Sequence, residues 1–195
     1  MRITISGKPG AGKTTIAKLL AQRLNLKFYE MGRIVQKIAL SRGLSVGELM
    51  QAGKTDPSID KEIDAEQKNL GEKQDNFVID GRISWFFIPN AVHVFLDVDE
   101  HVAAERIFKK PREPDEPQYK SADDVQKDIH ARLLADRERY QKYYGIDYLD
   151  TENYDIVINT TGKNQEQVME EVMREIKLLF QIKNQSCDFV RVHEL

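Results

Sequence analysis

Apolar positions along the chain change their period several times, and each change marks a predicted element. Arg2-Ile3-Thr4-Ile5-Ser6 is a β-branched run that ends at Gly7, the pattern of a buried strand. Ile16, Leu19, Leu20 and Leu24 then share one face of a helix that begins near Lys13. Strand, glycine-rich turn and helix open an α/β unit. Leu26 to Tyr29 predicts a second strand, and Ile34, Ile38 and Ala39 a helix that stops near Arg42-Gly43. Ser45 is placed to cap a short helix through Met50, and Pro57-Ser58-Ile59-Asp60 to open a longer one running to about Gln74.

The second half repeats the strand-helix alternation. Phe77-Val78-Ile79-Asp80-Gly81 predicts a third strand ending on a carboxylate, and Ala91 to Val98 a fourth. Their nearly continuous apolar character suits parallel strands buried on both faces. A helix from about Glu100 to Lys110 follows. The next segment, Lys110-Pro111-Arg112-Glu113-Pro114-Asp115-Glu116-Pro117, excludes a regular interior element and reads as a stiffened surface connector. Ser121, with Asp123 and Asp124 in the first turn, begins a helix that Gly145 ends after Tyr144. Asp155 to Asn159 predicts a fifth strand. Asn164 to Phe180 predicts an amphipathic helix carrying Val168, Val172, Ile176 and Leu179. Gln181 to Leu195 shows no clear periodicity and stays unassigned.

Composition narrows the class without naming a chemistry. With 195 residues, 41% hydrophobic and 31% charged, the chain suits one globular core rather than two. The 29 basic and 32 acidic side chains give a formal net charge of −3, which argues against a protein that coats nucleic acid. Cys187 is the only cysteine, so an internal disulfide is excluded and a reducing cytoplasm is expected. No apolar run approaches the roughly 18 to 20 residues that span a bilayer, so no membrane partner is expected.

Candidate chemistry enters at Gly7-Lys8-Pro9-Gly10-Ala11-Gly12-Lys13-Thr14, which fits G-x-x-x-x-G-K-[ST] between a predicted strand and a predicted helix. Glycines let backbone N–H groups close around phosphate oxygens, and the helix N-terminus favours the anion. Lys13 would meet the β- and γ-phosphates, and the Thr14 hydroxyl would ligate Mg²⁺. No Asn/Thr-Lys-x-Asp segment reads guanine, and Asp80 is followed by Gly81-Arg82 rather than by a carboxylate that activates water. A cation at Arg82 suits an anionic acceptor. A phosphate-monoester acceptor has a second pKa near 6 and is already nucleophilic at neutral pH, so its transfer needs cations rather than a strong base.

Such cations form a band of Arg106, Lys109, Lys110, Arg112, Arg132, Arg137 and Arg139 around the Pro-rich connector. Offsets of five and two residues spread Arg132, Arg137 and Arg139 around a helix, so they cannot all face one direction. Asp60 and Asp64 lie on one helical face at i and i+4, which by itself suits a solvated acidic surface. The four histidines have no metal-ligand spacing. Trp85 suits either the neighbourhood of the acceptor or the core.

These residues resemble the archaeal-type cytidylate kinases, a branch of the nucleoside monophosphate kinases. The resemblance rests on the glycine-rich loop, Pro57-Ser58-Ile59-Asp60-Lys61-Glu62-Ile63-Asp64, Asp80-Gly81-Arg82, Arg139-Tyr140, Tyr144-Gly145-Ile146-Asp147 and Tyr154-Asp155-Ile156-Val157-Ile158-Asn159-Thr160. It implies a three-layer α/β/α P-loop fold with a five-stranded parallel sheet, a helical acceptor-binding insert at about 30–75 and a lid at about 106–139. All of this would form one unit over 1–180, with 181–195 as a tail. The resemblance also implies ATP on Gly7 to Thr15, thus on Gly7, Lys8, Pro9, Gly10, Ala11, Gly12, Lys13, Thr14 and Thr15. Mg²⁺ would sit by Thr14 and Asp80, and the acceptor by Gly32, Arg33, Asp60, Asp64, Gly81 and Arg82. Lys13, Arg82, Arg106, Arg132, Arg137 and Arg139 would neutralise the transferring group. Gln36 stands where the family usually carries an arginine. The expected reaction moves the γ-phosphoryl group of ATP to CMP or dCMP in a cytoplasmic monomer. The alternatives are a P-loop kinase for AMP, UMP or a hydroxylated metabolite, or a nucleotide-binding switch without turnover.

Overall fold

The structure, a computed structural model, describes residues 1–53, 55–110 and 117–191, with side chains described through Ile182. Five strands, β1 (Arg2–Gly7), β2 (Lys27–Glu30), β3 (Phe77–Asp80), β4 (Val92–Asp97) and β5 (Ile156–Asn159), form one sheet in the order β2-β3-β1-β4-β5. All four pairings are parallel. The register sets Ile5 opposite Asp80 and Gly7 opposite Leu96, so the end of β1 lies beside the carboxyl ends of β3 and β4. That edge of an open parallel sheet is where ligands collect.

Among the described residues there are eight α-helices, α1 (Lys13–Leu24), α2 (Met31–Ser41), α3 (Val46–Ala52), α4 (Pro57–Lys73), α5 (Ser84–Phe87), α6 (Glu100–Lys109), α7 (Ala122–Tyr144) and α8 (Gln165–Arg191), and a 3-10 turn at Thr151–Asn153. Ile3, Ile5, Val78, Ile79, Val94 and Leu96 are wholly buried between the layers. Helix α1 packs on β3 and α8, and α6 packs on α7. Strands this short persist because both faces are covered, which is why their sequences read as continuous apolar runs.

Helices α2 to α4 lie between β2 and β3 in the chain and gather a small core of their own from Ile38, Ala39, Leu49 and Ile59. Ile34 and Ile63 touch both this cluster and the main core. Local signals fix these helices. Ser45 and Glu48 form a reciprocal capping box on α3, and the Asp56 side chain accepts from the Ser58 N–H at the start of α4.

The structure trims the expected strands, with β4 running Val92–Asp97 rather than Ala91 to Val98 and β5 starting at Ile156 rather than Asp155, and it departs from the sequence expectations at three further places. Strand β2 begins at Lys27 rather than Leu26, because the Leu26 N–H donates to the Ala21 carbonyl (2.8 Å) and still belongs to the exit from α1. The short α5 was not expected. Helix α8 continues through Arg191, beyond Phe180 where the apolar stripe ends. Arg112, most of the Pro-rich connector and the last four residues lie outside the described residues. Among the described residues, no helix is long and apolar enough to cross a membrane.

Candidate active site

The loop between β1 and α1 closes through positions that exclude a side chain. Gly7 has φ 141°, and a Cβ there would stand 2.1 Å from the Leu96 carbonyl oxygen. Gly10 has φ 77°, and its Cβ would come within 2.8 Å of the Ala103 Cβ. Gly12, at φ 90°, caps α1 in a left-handed conformation that favours glycine. Lys8 Nζ pairs with Asp97 at 2.8 Å, which ties the loop to the end of β4.

Lys13 Nζ donates across the loop to the Lys8 carbonyl at 2.9 Å. Burial lowers its pKa from 10.5 to about 8, an effect that Asp80 opposes and the nearby Arg82 and Arg132 reinforce. This is a desolvated cation that an incoming anion would stabilise. The Thr14 hydroxyl donates to the Asp80 carboxylate at the end of β3. No cluster of three His, Cys, Asp or Glu side chains occurs among the described residues. Thr14 and Asp80 therefore fit a magnesium ion that keeps most of its waters and arrives with phosphates, rather than one caged by protein alone.

Two cavities meet at this loop. The first, of ≈ 860 Å³, is lined by Gly10 to Ile16 together with Arg106, Ile107, Lys110, Thr160, Lys163 and Asn164 to Glu166. Arg106 is locked into its wall, donating to the Thr160 hydroxyl (3.1 Å), the Thr160 carbonyl (2.7 Å) and the Lys163 carbonyl (3.1 Å). The second cavity, of ≈ 410 Å³, is lined by Pro9, Lys13, Thr14, Gly32, Asp60, Asp64, Asp80, Gly81, Arg82, Arg132 and Arg139, among others. Lys13 and Thr14 border both.

The second cavity is built chiefly from α4 and α7, with the end of β3 at its floor. Gly81 leaves room for its neighbours, since a Cβ there would lie 2.1 Å from the Ser84 Oγ and 2.7 Å from the Met31 Cγ and would force both to shift. Arg82 donates to Asp136 on α7, and its own carbonyl accepts from Ser6 Oγ at 2.7 Å. Arg139 lies 3.5 Å from the same Asp136 and 4.0 Å from Asp60, with its guanidinium carbon 4.9 Å from the Tyr140 ring centroid. Tyr144 donates to Asp64 at 2.7 Å. Burial raises the pKa of both Asp60 and Asp64 above the usual carboxylate range, while Arg139 pulls each back.

The structure thus brings together most of the residues singled out from sequence and separates a few. Gly32, Asp60, Asp64, Gly81, Arg82, Arg132 and Arg139 share the second cavity. Arg106 lies on the first, on the far side of the loop from the acceptor-side cations. Arg137 pairs with Asp147 and lines neither cavity. Arg33 stays 74% exposed beside Glu30, and Gln36 is exposed on the same helix. Trp85 packs edge-on against Tyr154 and Phe86 rather than in either cavity. Asp136, Tyr140, Tyr144 and Gln67 were missed. Asp136 had a readable signal, since it stands four residues after Arg132 and three before Arg139.

A parallel sheet in this order, with a glycine-rich loop between its central strand and first helix, is the P-loop α/β/α fold. A shikimate kinase from Bacteroides thetaiotaomicron shares the fold with a TM-score of 0.65 at 22% identity, covering 92% of this chain and 98% of that one. The cytidylate kinase-like family matches residues 2–162, and the chain belongs to that family. It is therefore an enzyme, a nucleoside monophosphate kinase. A cytidylate kinase of Archaeoglobus fulgidus is 35% identical over 179 residues, 91% of this chain and 96% of that protein. Another, from Methanocella arvoryzae, is 35% identical over 161 residues, covering 83% and 88%.

Proposed function

We propose that the enzyme transfers the γ-phosphoryl group of ATP to CMP or dCMP, releasing ADP and the corresponding diphosphate. The observation that carries this reading is the meeting of two cavities at Lys13 and Thr14, one walled by the P-loop and the other by three arginines and four carboxylates. ATP occupies the first cavity with its phosphates in the loop from Gly7 to Thr15. The monophosphate occupies the second, its phosphate on Arg82, Arg132 and Arg139. Asp60 and Asp64 accept from donors on the nucleoside. A carboxylate suits the cytosine N4 amino group, where uracil presents an oxygen.

The acceptor phosphate is ionised near neutral pH and needs no base. What the protein supplies is alignment and charge: Lys13 bridges the two sites, and the arginines hold two mutually repelling phosphates in line. Magnesium, when bound beside Thr14 and Asp80, would add neutralising charge on the β- and γ-phosphate oxygens. Helices α2 to α4, within 30–75, act as the acceptor-binding insert, and the segment 106–139 acts as the lid that excludes water. Of the cations first assigned to that lid, Arg106 serves the ATP side, and Arg137 supports the loop carrying Asp147. Arg33, beside Gly32, would have to leave its ion pair with Glu30 at 3.3 Å to reach the acceptor on closure. The kinase unit of 1–180 continues into the last turns of α8, which runs through Arg191. One cysteine and the small-molecule substrates suit a cytoplasmic monomer.

ADP release is to be measured with CMP, dCMP, UMP, AMP, shikimate and water as acceptors. The expected result is the highest kcat/KM for CMP or dCMP and negligible hydrolysis. A rate with water alone equal to that with CMP would overturn the assignment, and a higher kcat/KM for shikimate would move it to a hydroxyl acceptor.

A further inference from the structure

The second cavity is backed by a buried carboxylate to which the transfer gives no part. Asp136, midway along α7, is only 9% exposed, and burying a charge is unfavourable unless it is paired. One of its oxygens accepts from Arg82 Nη1, and the other lies 3.5 Å from Arg139 Nη2. The two arginines come from opposite sides of the site, Arg82 from the end of β3 and Arg139 from α7. Both line the cavity, whereas Asp136 lies behind them.

We propose that Asp136 is a positioning residue for the acceptor phosphate, holding Arg82 and Arg139 so that their remaining N–H groups face the cavity before the substrate arrives. The inference rests on the reading of the second cavity as the acceptor site. A guanidinium is a rigid planar fork, so tying one Nη fixes where its other donors point. Two neighbouring guanidinium groups also repel each other, and a carboxylate shared between them removes the reason for either to swing into solvent. Groups already ordered lose less freedom on binding, so a fixed pair binds the phosphate more tightly than a mobile one. Tyr148 is wholly buried, and Arg82 and Asp136 both bear on its phenol.

Steady-state kinetics of the full-length enzyme test this with Asp136→Asn and Asp136→Glu. Asparagine keeps the size but turns one accepting oxygen into a donor that faces a guanidinium. Asp136→Asn is expected to raise KM for CMP about tenfold, the equivalent of one charge-assisted hydrogen bond, while KM for ATP stays within about twofold. Asp136→Glu keeps the charge but displaces it, and its KM for CMP is expected between those of the wild type and Asp136→Asn. Three outcomes overturn the proposal: an unchanged KM for CMP, a lower one, which would show the carboxylate competing with phosphate, or an equal rise for both substrates. Should Asp136→Asn fail to fold, Asp136→Glu decides alone, and a wild-type KM for CMP in that variant overturns the proposal. A wild-type enzyme inactive on every nucleoside monophosphate but active on an acceptor without a phosphate would overturn the acceptor reading, and this inference would fall with it.

Discussion

Lys13 is the residue at which burial and function most directly oppose each other. Its pKa of about 8 results from desolvation outweighing the attraction of Asp80. A triphosphate in the loop would restore the charge, so binding above pH 8 must take up a proton. Affinity for ATP should therefore be level below about pH 7.5 and fall by up to about tenfold per pH unit above 8. The stability of the free enzyme moves the other way. The folded state releases this proton near pH 8, whereas the unfolded chain holds it to about 10.5, so the unfolded state binds more protons in between and this residue's contribution to stability rises across that window. Titration calorimetry from pH 7 to 9.5, on the wild type and on Lys13→Ala, checks both the affinity and its slope. Lys13→Ala should bind ATP weakly with no slope of this origin. A wild-type affinity constant across the range would show that the ammonium is not desolvated. Lys13 and the glycines around it were legible from sequence because their chemistry is local: the left-handed Gly12 and the crowded Gly7 are demanded by one short turn.

At the scale of elements, the acceptor site depends on how α4 and α7 are joined. Two contacts cross between them, Tyr144 to Asp64 at 2.7 Å and Arg139 to Asp60 at 4.0 Å. Removing the phenolic hydroxyl in Tyr144→Phe leaves Asp64 half-buried without that donor, at a cost of about 1 kcal/mol after allowing for solvent at the site. The urea midpoint should drop accordingly, and KM for the monophosphate should rise more than KM for ATP. Equal KM values for both substrates in mutant and wild type would show that the α4–α7 contact does not shape the acceptor site. Strands and long helices were legible because each carries its own period and caps, as Ser121 and Gly145 do for α7. Helix α5 was not, since Ile83 to Ile88 is apolar without a period, and a single turn is held only by bonds such as Ile88 N–H to the Ser84 carbonyl. The end of α8 was hidden for a related reason: Leu179 and Phe180 still pack on the core, and exposed Leu178 and Ile182 give no sign of where the helix stops. The Arg82–Asp136 pair spans 54 residues of sequence, so only the fold brings the two together.

For the molecule as a whole, the decisive feature is that two cavities, one of ≈ 860 Å³ and one of ≈ 410 Å³, open onto the same lysine and threonine. If phosphoryl transfer runs directly between them, a single compound carrying adenosine and cytidine at the two ends of a polyphosphate bridge should fill both at once. Such a compound pays the entropic cost of association once rather than twice, so it should bind more tightly than either nucleotide alone. It should compete with ATP and with CMP, at one molecule per chain. At about a hundredfold excess over its Kd it should stabilise the fold by about 2.7 kcal/mol, which for a chain of this size raises Tm by about 5–10 °C. Calorimetry and thermal melts give both quantities. Competition with ATP alone, or two molecules bound per chain, would mean that the cavities do not form one continuous path through Lys13, and direct in-line transfer would have to be given up.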